Sequence, residues 1–535
     1  MTMRRLARSS LMLAAALSAP SCAGPLDTPG SSTGGGQGGS SEGTTVGTGG
    51  ASTTSAAVST TGGTGGGATT GGVDATGGGG GGAGGAPPGV ANGYARNPIV
   101  SHIFTADPSA HVFEGRVYIY ASHDPDDQSG YSMVDYHVFS SDDLVNWQDH
   151  GVALAAADTW ARYLYAPDAC YSEANGKYYL YFPDSGSGIG VAVSDTPGGP
   201  FKEALGKPLI SKSTPGVGDV DWLFDPTCFI DDDGQAYLYF GGGPTGTGDN
   251  ARVIRLGRDM ISLADASATT IKAPAFFEAS FMHKRDGKYY FSYSTDFTGH
   301  AAYIDYMMSD NPMTGFTYAG TILPSPADNN GDNNHHSIVE YQGNWYIFFH
   351  NRVLAKRDGF SNYQRSITVD NLMYDAQGKI VQVSATKGRV AQLKSVNARA
   401  RMEAETMAAQ RGIEVDVVQE GGARAGVAVG WINDKDWIGY SQLDFGGGVE
   451  TFRARVSSGS TAGGSIEVLL GGCEGFTDTP GERVGVCAVG PTGGWQAWTD
   501  VECAAQVPPG VHDICLRFTG TGSDPLLNLD HFQFK

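Results

Sequence analysis

One short pattern recurs five times in this chain of 535 residues and limits what it can fold into. A glycine-containing turn is followed by alternating aromatic and aliphatic residues. It reads EGRVYIYAS from Glu114, NGKYYLYFP from Asn175, DGQAYLYFG from Asp233, DGKYYFSYS from Asp286 and QGNWYIFFH from Gln342. The turn glycines, Gly115, Gly176, Gly234, Gly287 and Gly343, lie 61, 58, 53 and 56 residues apart. Asn-Gly and Asp-Gly turns favour tight hairpins. Further strand-like runs, IGVAVSD from Ile189 and IDYMMSD from Ile304, fill the intervals. A period of this length suggests one four-stranded sheet per repeat. The pattern predicts an all-β chain with a five-bladed β-propeller over residues 94–395; a β-sandwich with coincidental hairpins is the competing reading.

The repeat begins late. No aromatic residue precedes Tyr94, and residues 31–90 hold 25 of the 79 glycines. Residues 23–93 are rich in Gly, Ser, Thr and Ala, and cannot bury enough apolar surface to offset ordering entropy. They are expected to be a disordered tether. Ahead of it, Arg4, Arg5 and Arg8 precede an apolar run at 11–17 and small residues leading to Cys22. That layout predicts a secretory signal over residues 1–22. Ala19-Pro20-Ser21-Cys22 resembles a lipoprotein cleavage site, so the expected location is secreted or cell-surface, as an outer-membrane lipoprotein. The lipid would be the only membrane contact.

Within the repeat, a polar residue stands eight or nine positions before each turn glycine: Asp107, Asp168, Asp225, Glu278 and His335. The innermost strands of a propeller line its central channel, so equivalent positions converge there. Paired carboxyl groups across a pocket suit glycosidic bond cleavage, one as proton donor and one activating water or attacking. The β-rich part of the chain carries no G-x-S-x-G elbow, no H-E-x-x-H and no phosphate-binding loop. A net charge of −21 speaks against nucleic-acid binding.

Asn97-Pro98-Ile99, Ala106-Asp107-Pro108-Ser109, Tyr165-Ala166-Pro167-Asp168, Phe224-Asp225-Pro226, Phe277-Glu278-Ala279-Ser280 and Asn334-His335-His336-Ser337 resemble, in order, the motifs of glycoside hydrolase family 43. The resemblance implies a five-bladed propeller and an inverting mechanism. Asp107 would be the general base, Glu278 the general acid, and Asp225 the residue that orients the acid and raises its pKa. His335 would help hold a calcium ion in the channel, and Arg352 would contact the sugar. Asp168 is expected among the substrate-binding residues. So is Tyr165, which stands where many members have tryptophan and helps shape the pocket wall.

Residues 399–535 form a second β-rich segment, and 403–534 resemble carbohydrate-binding module family 6, a β-sandwich (jelly roll). By that resemblance Trp431 and Trp495 would sandwich a sugar ring, with Asn528 hydrogen-bonding it. Glu403, Glu405 and Asp530 would hold a structural calcium ion. His531 replaces a usual tryptophan. Export makes disulfides expected. Cys473–Cys487 with Cys503–Cys515 is the anticipated pairing, and Cys170 and Cys228 either pair across blades or stay thiols. The whole reads as an exported, monomeric glycoside hydrolase that removes α-L-arabinofuranosyl residues from arabinoxylan-type plant polysaccharide. A β-xylosidase, an endo-acting xylan or arabinan hydrolase and a catalytically silent glycan binder are the alternatives.

Overall fold

The computed structural model describes residues 97–535 apart from 245–248, 298–299, 330–331, 387, 389, 478–480 and 522–524. The signal, Cys22 and tether expected at the N-terminus lie outside the described residues. Among those described, no helix is long and apolar enough to cross a membrane.

Five antiparallel sheets follow one another, and their innermost strands are Phe104–Phe113, Asp168–Ser172, Thr227–Ile230, Phe276–Arg285 and His336–Tyr341. Each pairs with the strand that carries the repeated aromatic run. Those runs are apolar on both faces because each is packed between two blades. Side chains alternate across a strand. In Lys177–Pro183, for example, Tyr178, Leu180 and Phe182 meet blade one, whereas Tyr179 and Tyr181 meet blade three. The same rule builds all five inter-blade cores, including the one joining blade five to blade one through Ile119, Phe139, Phe348 and Ile367. Each fully buried apolar side chain contributes roughly 1.5–3 kcal/mol. The ring closes where Ile99 N–H donates to Ile367 O (2.9 Å) and Thr105 N–H donates to Arg365 O (3.0 Å).

The C-terminal part is a curled β-sandwich around Tyr440, Phe452, Ile466, Leu516, Phe532 and Phe534. Its disulfides differ from the anticipated pairing: Cys473 joins Cys515, and Cys487 joins Cys503. Register explains this. Strands Glu482–Val489 and Gly494–Val507 pair with Gly485 opposite Ala505, which sets Cys487 directly across from Cys503. Leu469 lies opposite Cys515, so the turn after it delivers Cys473 there. The two consecutive cysteines in the middle thus pair with each other, and the outer two, Cys473 and Cys515, close around them. Cys170 and Cys228 do pair, linking blades two and three.

The sandwich is fastened to blade one. Thr406–Met407 adds a fifth strand, pairing with Gln148 and Trp147. Asn146 exchanges two hydrogen bonds with the Ser441 backbone (3.0 and 2.9 Å), and Arg424 donates to the carbonyls of His150 and Val152 (both 2.7 Å). Deleting residues 399–535 removes both Asn146–Ser441 hydrogen bonds, leaving the Asn146 side chain its bond to Asp143 alone, and uncovers the buried Trp147; a lost hydrogen bond of this kind costs about 0.5–1.5 kcal/mol. The propeller alone should therefore melt several degrees below the full chain in calorimetry. An unchanged propeller transition would show that the contact adds no stability.

Candidate active site

All five repeat-phased residues stand at the inner strands' leading ends: Asp107 and Glu278 within their strands, Asp168 opening one, and Asp225 and His335 just before theirs. Two of these positions, and the neighbour of a third, break strand regularity. Asp107 (φ 52°), Asp225 (φ 49°) and Ala279 (φ 60°) are left-handed, and pairing slips between Ala106 and Ser109 and on both sides of Glu278. A bulge re-aims a side chain that regular pleating would send into a blade. Left-handed backbone at a non-glycine residue costs of order 1–3 kcal/mol and clusters at functional sites.

Asp107 is the best anchored of the set. Its Oδ1 accepts from Arg365 Nη1 (2.7 Å), its Oδ2 accepts from Ser122 Oγ (2.9 Å), and its backbone N–H donates to His350 Nδ1 (3.4 Å). Arg365 also grips both oxygens of Asp124 (2.9 and 2.8 Å) and lies over the Tyr131 ring. Burial by itself would raise Asp107. The Arg365 guanidinium and the neighbouring imidazoles oppose it and hold the carboxyl well below its usual range. Asp225 and Glu278 go the other way. Asp225 is pushed well up by burial and then by the charges of Glu278 and Asp107, although it accepts Ala279 N–H (2.7 Å). Glu278 is raised to about 8, first by burial and then by the Asp107 charge. One pocket thus holds an ionised carboxylate beside a pair that keeps a proton at neutral pH. Such a split separates a base from an acid. His335 Nδ1 lies 3.7 Å from both Asp107 and Asp225; burial lowers its pKa to about 4, so the ring is neutral.

Other expected residues sit differently. Asp168 does not face the pocket: one oxygen takes Ser109 Oγ and His111 Nε2 and the other takes Cys228 N–H, so it ties blades one, two and three together. Arg352 is fully buried and donates to Asn329, Asn333 (2.6 Å) and Asn362 O (2.6 Å). Asn333 in turn hydrogen-bonds Glu278, so Arg352 bears on the site through an amide. Tyr165 is half-buried, its hydroxyl donating to Tyr131 O (3.0 Å). Trp222, Phe224 and Phe277 form an aromatic wall next to Asp225 and Glu278, with centroids 5.3 and 5.5 Å apart. Gly242 backs it, since a Cβ there would lie 2.6 Å from the Phe224 ring. Arg365, Asp124, Ser122 and His350 went unrecognised in the sequence. They stand outside the repeat phase, and no local motif marks them.

In the sandwich, Trp495 is 37% exposed and lies on Gly459, where an added Cβ would come within 2.6 Å of the indole. Asn528 Nδ2 donates to Trp495 O (3.1 Å), and its Oδ1 abuts Gly430, which precedes Trp431. Trp431 itself is left-handed (φ 57°) and half-buried. Glu403, Asp530 and His531 offer ligand atoms within 4.8 Å of one another. Glu405 is buried beside them with Oε2 unpartnered, and burial plus the Glu403 and Asp530 charges push it well up. A buried carboxylate oxygen without a donor, amid two further carboxylates, fits a hard cation.

Residues 95–380 match the family model of glycosyl hydrolases family 43, and residues 403–535 match carbohydrate binding module family 6. The chain is 41% identical to an arabinoxylan arabinofuranohydrolase of Paenibacillus polymyxa, over 82% of this chain and 74% of that protein. It is 40% identical to another from Bacillus subtilis (strain 168), over 82% and 92%. A crystal structure of a family 43 arabinoxylan arabinofuranohydrolase from Bacillus subtilis, in complex with cellotetraose, superposes with a TM-score of 0.75 at 38% identity. That superposition covers 82% of this chain and 97% of that one.

Proposed function

This chain belongs to glycosyl hydrolase family 43 and is a glycoside hydrolase; from that premise we propose that it removes α-L-arabinofuranosyl residues from arabinoxylan. The opposed protonation of Asp107 and the Glu278–Asp225 pair carries the chemistry. The choice of substrate rests on the two arabinoxylan arabinofuranohydrolases named above, which match across both domains. A xylosidase/arabinosidase of Humicola insolens, 40% identical, matches over 53% of this chain.

Catalysis is a single displacement. Asp107, kept ionised by Arg365, takes a proton from a water that attacks the anomeric carbon. Glu278 gives its proton to the departing glycosidic oxygen, and the anomeric centre inverts. Asp225 fixes the Glu278–Ala279 turn by accepting the Ala279 N–H, while the negative charge of Asp107 helps keep the acid protonated. The aromatic wall at Trp222, Phe224 and Phe277 faces sugar C–H groups. Trp431, Trp495 and Asn528 hold the polysaccharide chain. Glu403, Glu405 and Asp530 would hold calcium, whose charge would neutralise their mutual repulsion, and His335 would help hold a second ion. Residues 1–22 export the protein, Cys22 carries the lipid and residues 23–93 tether a monomer at the cell surface.

Glu278→Ala should slow arabinose release from arabinoxylan by about 10²–10⁴-fold. It should leave much more activity on an arabinofuranoside with an acidic phenol leaving group, which needs no proton. Equal losses on both substrates would contradict the acid role. Xylose release from aryl xyloside without arabinose release from arabinoxylan would overturn the substrate. For calcium the sign follows from Glu405: its folded pKa lies above the unfolded value, so without metal this group destabilises increasingly as pH rises from about 4.5 through the folded pKa. Added calcium should raise the melting temperature, and by more at pH 8 than at pH 5. A pH-independent increment, or none, would remove the site.

A further inference from the structure

Blade one carries a group of side chains that the hydrolysis does not use. His123 is the penultimate residue of strand Arg116–Asp124; Asp135 and His137 are the first and third of strand Asp135–Ser141. Residues two apart on a strand share a face, and Ser122 lies opposite Tyr136, which brings His123 over Asp135. The three offer ligand atoms within 4.8 Å of one another, and the His123 and His137 ring centroids are 5.2 Å apart. We propose that His123, Asp135 and His137 form a binding site for a divalent transition-metal ion of the zinc class, distinct from the calcium site of the sandwich.

The donor set selects the ion. Two imidazoles and one carboxylate suit a borderline cation, with water completing the shell, whereas calcium prefers oxygen alone. Surroundings of the kind that orient metal-binding histidines are already in place. His137 Nδ1 lies 3.1 Å from Asp149 Oδ1, and Asp149 is itself held by His102 Nε2 (2.7 Å) and Gly151 N–H (2.6 Å). This engages Nδ1 of the His137 ring and leaves Nε2 as its ligand atom. His123 Nδ1 lies 2.8 Å from Asp135 Oδ1, a contact that holds two of the proposed ligands side by side. Side-chain exposures of 25% for His123 and 19% for Asp135 leave an entry path, while His137 is buried at 7%. The ion would brace the strand end whose other face presents Ser122 to Asp107 and Asp124 to Arg365. It would stiffen the catalytic support without touching substrate.

The test uses the untagged full-length chain, stripped with a chelator, saturated with calcium to fill the oxygen sites, and titrated calorimetrically with zinc chloride. One zinc ion per chain and a raised melting temperature are expected. His123→Gln and Asp135→Asn should each weaken binding by at least about tenfold, whereas His531→Gln, in the other cluster, should leave this affinity unchanged. His123 and Asp135 are partly exposed, so either variant serves if the other fails to fold. Absence of saturable zinc binding, or binding unaltered in both variants, would overturn the site and leave His123–Asp135 a simple ion pair. Loss of binding in His531→Gln alone would assign the zinc to the sandwich and overturn it equally.

Discussion

The buried contact between Arg365 and Asp107 is what the rest of the site depends on. A guanidinium with 2% side-chain exposure bonds two carboxylates from blade one, Asp107 and Asp124, and its own backbone carbonyl receives the Thr105 N–H that closes the ring. Burial of three charges is expensive unless each is paired. Here the pairing keeps Asp107 ionised next to two carboxyl groups that burial pushes the other way. The negative charge thus retained on Asp107 helps hold a proton on Glu278. Ring closure and acid–base polarity therefore share one residue.

Propeller geometry makes that arrangement affordable. Each blade buries an aromatic strand on both faces, and this packing supplies the stability from which left-handed positions at Asp107, Asp225 and Ala279 are maintained. The inner strands bring their leading ends together, so distortions placed there converge. Arg352 acts at one remove, seating Asn333 against Glu278.

Much of this was legible in the sequence, for physical reasons. The hairpin period announced the blades because every blade meets the same two-sided burial. The carboxylates could be picked out because equivalent repeat positions occupy equivalent places. Asp168 shows where that logic stops: it shares the phase, yet its oxygens are spent on Ser109, His111 and Cys228, since blade two lacks the bulge that turns Asp107 and Glu278 inward. Arg365 lies outside the phase, and its partner is 258 residues away. The sandwich disulfides depend on strand register, and the docking of Thr406–Met407 on blade one depends on tertiary contact. Neither leaves a local signature.

The central claim is that one pocket holds an ionised carboxylate beside a protonated one. The pH dependence of kcat/KM for the wild-type enzyme on an arabinofuranoside tests it most directly, because it reports the free enzyme's ionisations. With Glu278 raised to about 8 and Asp107 held well below its usual range, activity should persist through neutral pH and decline with a midpoint near 8. A decline beginning near pH 5, as for a carboxyl group of ordinary pKa, would contradict the account.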